Sequence, residues 1–124
     1  MRDAIRLRRE NKFDQPNARL KVAHTITYMK QHLDQPLKLE ALAAVAGLSR
    51  SQYAVLFKER SGYAPMDYFI RLRIHRACQL LDTTALSVKA IAAKLGYDDP
   101  LYFSRIFRTV NDVSPQQYRR LRKG

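Results

Sequence analysis

Apolar residues recur along this chain at helical spacing, most clearly between Leu101 and Val110. Phe103, Ile106, Phe107 and Val110 fall on one stripe, while Leu101, Ser104, Arg105 and Arg108 lie at offsets 0, 3, 4 and 7 on the opposite side. One face is built for burial and the other is left polar and basic. Upstream, Val88 to Leu95 reads as a short helix with Ser87 as its N-cap and Gly96 just past its end, where a left-handed residue closes a helix without steric penalty. Asp99 and Pro100 then suit the N-cap and first position of the next helix, where proline's missing N–H is not needed. Two short helices joined by a brief glycine-containing turn, the second with a presented basic face, have the layout of a helix-turn-helix.

The pattern occurs twice. Leu42, Ala43 and Gly47 match Ile91, Ala92 and Gly96 at a separation of 49, and Phe57, Lys58, Pro65 and Tyr68 match Phe107, Arg108, Pro115 and Tyr118 at a separation of 50. The one-residue difference falls in the turn, where an insertion is best tolerated. A repeat of this length reads as a duplicated unit.

The remaining stretches fit around these two units. Pro16 and Asn17 open a helix whose Val22, Ile26, Met29 and Leu33, at offsets 0, 4, 7 and 11, predict a core-facing stripe. Leu39 to Ala46 is the first helix of the first unit, and Ser49 with Gln52 forms a capping box for the second, in which Tyr53, Leu56 and Phe57 point inward. Arg50, Ser51, Ala54, Val55 and Lys58 are left on its opposite face and N-terminal end. Pro65 begins the longest helix, about 17 residues to Leu81, with Met66, Phe69, Ile70, Ile74, Ala77, Leu80 and Leu81 on a broad apolar stripe. Its length of about 26 Å would suit a strut that sets two reading helices near the ~34 Å spacing of successive major grooves. Arg73 lies inside that stripe and is expected to pair with a carboxylate. Ser114, Pro115 and Gln117 start a last helix ending in Arg119, Arg120, Arg122 and Lys123. The expected fold is all-α, with about seven helices arranged as two helix-turn-helix subdomains, residues 16–64 and 84–124, joined by a linker helix over 65–83. Residues 1–15, charged and without periodicity, read as a flexible basic tail or linker remnant, with an arm on DNA phosphates as a second reading.

Charge narrows the class of partner. Lys plus Arg number 23 against 11 for Asp plus Glu, a net charge of +12 that in 124 residues points to a polyanion, either nucleic acid or an anionic membrane. The duplicated motif favours nucleic acid, because each apolar stripe is needed for a core and none is free to enter a lipid surface. No run approaches the roughly 18 apolar residues of a bilayer span, and the arginine-rich start has no apolar h-region of a secretory signal. The single cysteine, Cys78, rules out an intramolecular disulfide and suits a reducing cytoplasm. Chemistry of other kinds finds little support. Cys78 reads as packing at the edge of a helix stripe, and His24, His32 and His75 lack metal-ligand spacing. Neither a glycine-rich phosphate loop nor a catalytic carboxylate pair is present. No enzyme activity, cofactor or metal is expected.

The run Ile91, Ala92, Gly96, Tyr97, Tyr102, Phe103, Ser104, Arg105, Phe107, Arg108, Ser114, Pro115, Tyr118 and Arg119 resembles the signature of the C-terminal DNA-binding domain of the AraC/XylS transcription regulators. Arg73, Arg76, Ala77, Leu80 and Leu81 match that family's linker helix; Leu39, Leu42, Ala43, Gly47, Leu48, Ser49, Phe57, Lys58 and Gly62 match its first helix-turn-helix. The resemblance implies two recognition helices set in adjacent major grooves of double-stranded DNA by one chain acting as a monomer. Docking onto an acidic partner such as RNA polymerase is the alternative, and nonspecific nucleic-acid binding a third reading. Arg105 is the foremost candidate for base readout, since a guanidinium can bond guanine O6 and N7 together. Ser104, Leu101 and Tyr102 share its helix end, and Arg50, Ser51, Gln52, Ala54 and Val55 hold the matching places in the first unit. Lys58 and Arg108 close the two presented faces as phosphate contacts, and Lys38, Leu39, Ser87 and Lys89 are candidate phosphate clamps where the first helix of each unit begins. Two positions depart from the family pattern. Val55 stands where arginine is frequent, leaving an Ala54/Val55 pair suited to thymine methyl groups and not to hydrogen bonding. Asp112 replaces the usual glycine, a change that Asp tolerates because it accepts a left-handed backbone better than most residues.

Overall fold

The computed structural model describes residues 16–123, so the expected tail over 1–15 lies outside the described residues. These fold into seven α-helices: α1 Pro16–Gln31, α2 Leu39–Ala46, α3 Arg50–Ser61, α4 Pro65–Thr83, α5 Val88–Lys94, α6 Pro100–Asn111 and α7 Pro115–Lys123. They group into two compact units, residues 16–31 with Leu37–Asp67, and His32–Pro36 with residues 68–123.

In the first unit, α1, α2 and α3 pack on one another around Val22, Met29, Leu42, Ala43, Tyr53, Leu56 and Phe57, all buried. One polar link is sealed into this core: the Tyr53 hydroxyl donates to Thr25 Oγ1 at 3.0 Å, and Thr25 Oγ1 donates to the Val22 carbonyl at 2.9 Å. Both partners are fully buried, so each hydroxyl depends on the other for satisfaction. The expected capping box is formed, Ser49 Oγ accepting from Gln52 N at 3.2 Å while Gln52 Oε1 accepts from Ser49 N at 3.3 Å.

The second unit is built on Ile74, Ala77, Leu81, Ile91, Ala92, Leu95, Phe103 and Phe107. Tyr97, Phe103, Phe107 and Tyr118 form an aromatic run, successive ring centroids lying 5.4, 6.1 and 5.7 Å apart in tilted or edge arrangements that suit the ring quadrupole. The caps are those expected from sequence: Ser87 Oγ accepts from Ala90 N, Asp99 Oδ1 accepts from Leu101 N, and Ser114 with Gln117 closes a capping box on α7. Asp112 ends α6 at φ 66°, the left-handed conformation that Gly62 adopts at φ 84° after α3.

Two expectations are corrected, and they share a cause. Among the described residues Arg73 has no carboxylate partner; its Nε donates to the Leu33 carbonyl at 2.8 Å and its Nη2 to the Gln35 carbonyl at 2.6 Å, while the guanidinium stacks over Phe69 at 4.5 Å and Tyr97 at 5.0 Å. Leu33, in turn, does not continue the α1 stripe. That helix stops at Gln31, the chain turns with Gln35 N donating to the His32 carbonyl, and Leu33 packs against the core of the second unit. The guanidinium thus needs free backbone carbonyls, which a continuing helix would have used itself. The long helix fills the expected linker span, Pro65–Thr83, ending two residues past the apolar stripe at Leu81. Arg119 supports this end by donating to the carbonyls of Leu81 and Thr84, both at 3.2 Å.

Gly96 closes α5 at φ 83° against this cluster, and a Cβ there would lie 2.8 Å from Arg73 Nη2 and 2.9 Å from the Asp34 carbonyl oxygen. Gly62→Ala, with open space around it, is expected to cost about 1–2 kcal/mol through its backbone conformation alone, and Gly96→Ala distinctly more; chemical denaturation ranks the two. Arg73→Met is expected to lower stability by about 2 kcal/mol or more, because two carbonyls lose a charged donor.

Candidate nucleic-acid interface

The inward residues of α3 and α6 determine which side chains remain outside. With Tyr53, Leu56 and Phe57 buried, α3 presents Arg50, Ser51, Gln52, Val55 and Lys58 as exposed residues, and Ala54 is half-buried. With Phe103 and Phe107 buried, α6 presents Leu101, Tyr102, Arg105 and Arg108, and Ser104 is half-buried. Leu101 is 73% exposed and Val55 and Tyr102 are each 50% exposed, large values for apolar or aromatic residues. Each face therefore combines apolar contact with cations. Within α6 the Tyr102 ring leans toward Tyr97, centroids 6.2 Å apart, so a core tyrosine supports a surface one.

The candidates divide by how their polar groups are already used. The Gln52 amide oxygen and the Ser49 hydroxyl are engaged in the capping box, so Gln52 offers chiefly its amide N–H groups. At the start of α2, Lys38 is exposed and makes no side-chain cap, and Leu39 is half-buried. Ser87 uses its oxygen as an acceptor for Ala90 N, and Lys89, the second residue of α5, is exposed. Beside α5, a cleft of about 310 Å³ is lined by Val88, Gln116, Arg119 and Arg120. Gln116 and this packing of α7 near the clamp candidates were not foreseen, because they arise from tertiary contact.

Glu40 also escaped the sequence reading. Arg50 Nη1 donates to its Oε1 at 2.8 Å, with both side chains well exposed. Backbone hydrogen bonding in the first turn of α2, and then the Arg50 guanidinium, hold the Glu40 carboxyl below the usual carboxylate range, so it is an anion at neutral pH. The available signal was an acidic residue in a first turn ten positions before the lone arginine opening the next helix.

Burial pushes the Cys78 thiol up, away from the thiolate form that reactivity requires, and Asn111 Nδ2 donates to its sulfur at 3.6 Å. Among the described residues, no group of His, Cys, Asp and Glu could hold a metal ion.

The family described as "Helix-turn-helix domain" matches residues 42–121. A crystal structure of a transcriptional regulator from Chromobacterium violaceum, described as AraC-type DNA-binding domain-containing, superposes with a TM-score of 0.79 at 30% identity, over 87% of this chain and 96% of that one. The chain belongs to the AraC/XylS-type helix-turn-helix family. It is a DNA-binding domain of the transcription-regulator type. The DNA-binding domain of AdpA, a global transcriptional factor crystallised in complex with a target DNA, is similar with a TM-score of 0.76 and 31% identity, over 81% of this chain and 90% of that one. The MmsAB operon regulatory protein of Pseudomonas aeruginosa is 44% identical over 98 residues, which are 78% of this chain and 32% of that protein. The chain therefore spans about a third of the length of that curated relative.

Within this AraC-type domain the presented end of α3 rests on its cap. Ser49→Ala is expected to lower stability by about 1 kcal/mol, whereas Lys38→Ala, which removes no cap, leaves thermal unfolding nearly unchanged.

Proposed function

We propose that this AraC-type domain binds double-stranded DNA in a sequence-dependent way, α3 and α6 each entering a major groove. The observation that carries the reading is the equivalence of the two presented faces. In both units the buried aromatic of the second helix, Phe57 or Phe107, is followed at once by an exposed cation, Lys58 or Arg108, at the same repeat spacing. The target DNA held by the similar AdpA domain supports the choice of partner. Arg105 supplies polar readout in the second unit. Ala54 and Val55 supply apolar contact to thymine methyl groups in the first, with Arg50 as its polar reader. Lys58, Arg108, Lys38 and Lys89 hold phosphates and position the domain without reading bases, with the backbone at Leu39 and Ser87 beside them. One chain carries both reading helices, so the domain binds as a monomer. No helix among the described residues is long and apolar enough to cross a membrane, and a DNA partner with a lone cysteine suits the cytoplasm.

RNA polymerase is the second partner of this reading. Leu121 is 68% exposed on α7 between exposed Arg120 and Arg122, an apolar and basic surface fit for an acidic protein. Charge reversal at Arg120 and Arg122 that abolishes activation while sparing DNA affinity supports that docking.

Selection from a random duplex library is expected to return two short, non-palindromic blocks about one helical turn apart. Enrichment of nothing, despite binding, rejects sequence-dependent recognition. Arg105→Ala is expected to relax preference at one base pair by about 1–3 kcal/mol. Lys58→Ala and Arg108→Ala are expected to weaken all duplexes alike and to lower the slope of log affinity against log salt by about 0.9 each.

A further inference from the structure

The ion pair between Arg50 and Glu40 is out of keeping with the rest of the presented surface. A chain of net charge +12 places a carboxylate 2.8 Å from the arginine that opens its first recognition helix. An exposed pair of this kind adds little to stability, so stability does not account for it. The duplicated unit offers a comparison. At the first-helix spacing of 49, Glu40 corresponds to Lys89, and at the second-helix spacing of 50, Arg50 corresponds to Pro100. The second unit thus carries an exposed cation on its first helix and none at the opening of its recognition helix. In the first unit the order is reversed, and the cation is accompanied by an anion.

We infer that Glu40 is a specificity-determining positioning residue: it withholds Arg50 from the DNA phosphates and orients the guanidinium toward a base edge. The inference rests on the DNA-binding reading above and goes beyond it. A long, flexible cation near a duplex is drawn to the nearest phosphate, which gives affinity without sequence information. A carboxylate already bonded to that cation competes with the phosphate and cancels its charge at range. One N–H of the guanidinium is used by Glu40, and the other four remain for a base edge, where guanine O6 and N7 offer two acceptors. On a duplex that presents no such acceptors, the Glu40 charge faces the phosphate field and opposes binding. This device gives the first unit a polar discriminator that its apolar Ala54 and Val55 cannot supply.

The test uses the full chain as wild type, Glu40→Gln, Arg50→Ala and the double variant, with folding checked by circular dichroism. Each is titrated against the duplex selected by the wild type, its single-base variants under the first unit, and a random duplex, over a range of salt. Selection by the wild type tests the DNA reading on its own, independently of Glu40. Glu40→Gln is expected to bind the random duplex more tightly, to steepen the salt dependence by about one phosphate contact, and to lower discrimination at one base pair by roughly fivefold or more. Arg50→Ala is expected to lose the same discrimination, and adding Glu40→Gln to it should then change discrimination no further. If Glu40→Gln strengthens every duplex by the same factor in both backgrounds, Glu40 is only a repulsive charge and the inference is overturned. Unchanged binding in Glu40→Gln overturns it equally.

Discussion

The second unit depends on one buried arginine. Arg73 is 8% exposed and lies between two aromatic rings, with two of its nitrogens on the carbonyls of Leu33 and Gln35. A guanidinium in such a place requires acceptors that carry no side-chain entropy, and backbone carbonyls freed by a turn meet that requirement. The consequences extend outward. The segment after α1 leaves the helical path, Leu33 joins the core around Ile91 and Phe103, and the residue closing α5 is a glycine because a Cβ would strike both the guanidinium and the Asp34 carbonyl. Tyr97, beneath the same guanidinium, then supports the exposed Tyr102 of α6. A buried charge is thus linked, by direct contacts, to the presented face of α6.

The two units solve one problem with the same local rules and different residues. Each recognition helix opens with a side-chain cap, Ser49 or Asp99, and is ended by a left-handed residue, Gly62 or Asp112. Each buries aromatic residues on its inner face. What the helices carry outside has diverged: α6 offers Leu101, Tyr102, Arg105 and Arg108, whereas α3 offers Arg50, Ser51, Val55 and Lys58 with Glu40 beside them. Duplication preserved what folding needs, and the surface was free to change because it has no part in the core.

In the proposed function, affinity and discrimination are served by different residues on these faces. The net charge of +12 draws the domain to any duplex. In that proposal, lysines and arginines closing the presented faces secure the backbone, while the few side chains at the helix starts meet the base edges. In the proposed role of Glu40, the ion pair at Arg50 would assign to discrimination a charge that otherwise adds to general attraction.

Helix positions, caps, the duplicated motif and the presented faces were legible in the sequence, because each follows from interactions within a turn or two of one helix. Ser49 with Gln52, Asp99 before Pro100, and the left-handed Asp112 are local features, and the structure places them as read. The end of α1 and the partner of Arg73 were not legible. Spacing extended the α1 stripe to Leu33, since periodicity does not register a helix stopped by a demand made forty residues away. Nor did charge pattern reveal Glu40 against Arg50, or α7 against Val88, for these pairs meet only when separate helices pack. Sequence alone determined which faces are buried and which are offered, because amphipathic spacing and capping are short-range. Tertiary structure decided which polar groups on those faces are already engaged, because a hydrogen bond between distant residues exists only once the core has brought their helices together.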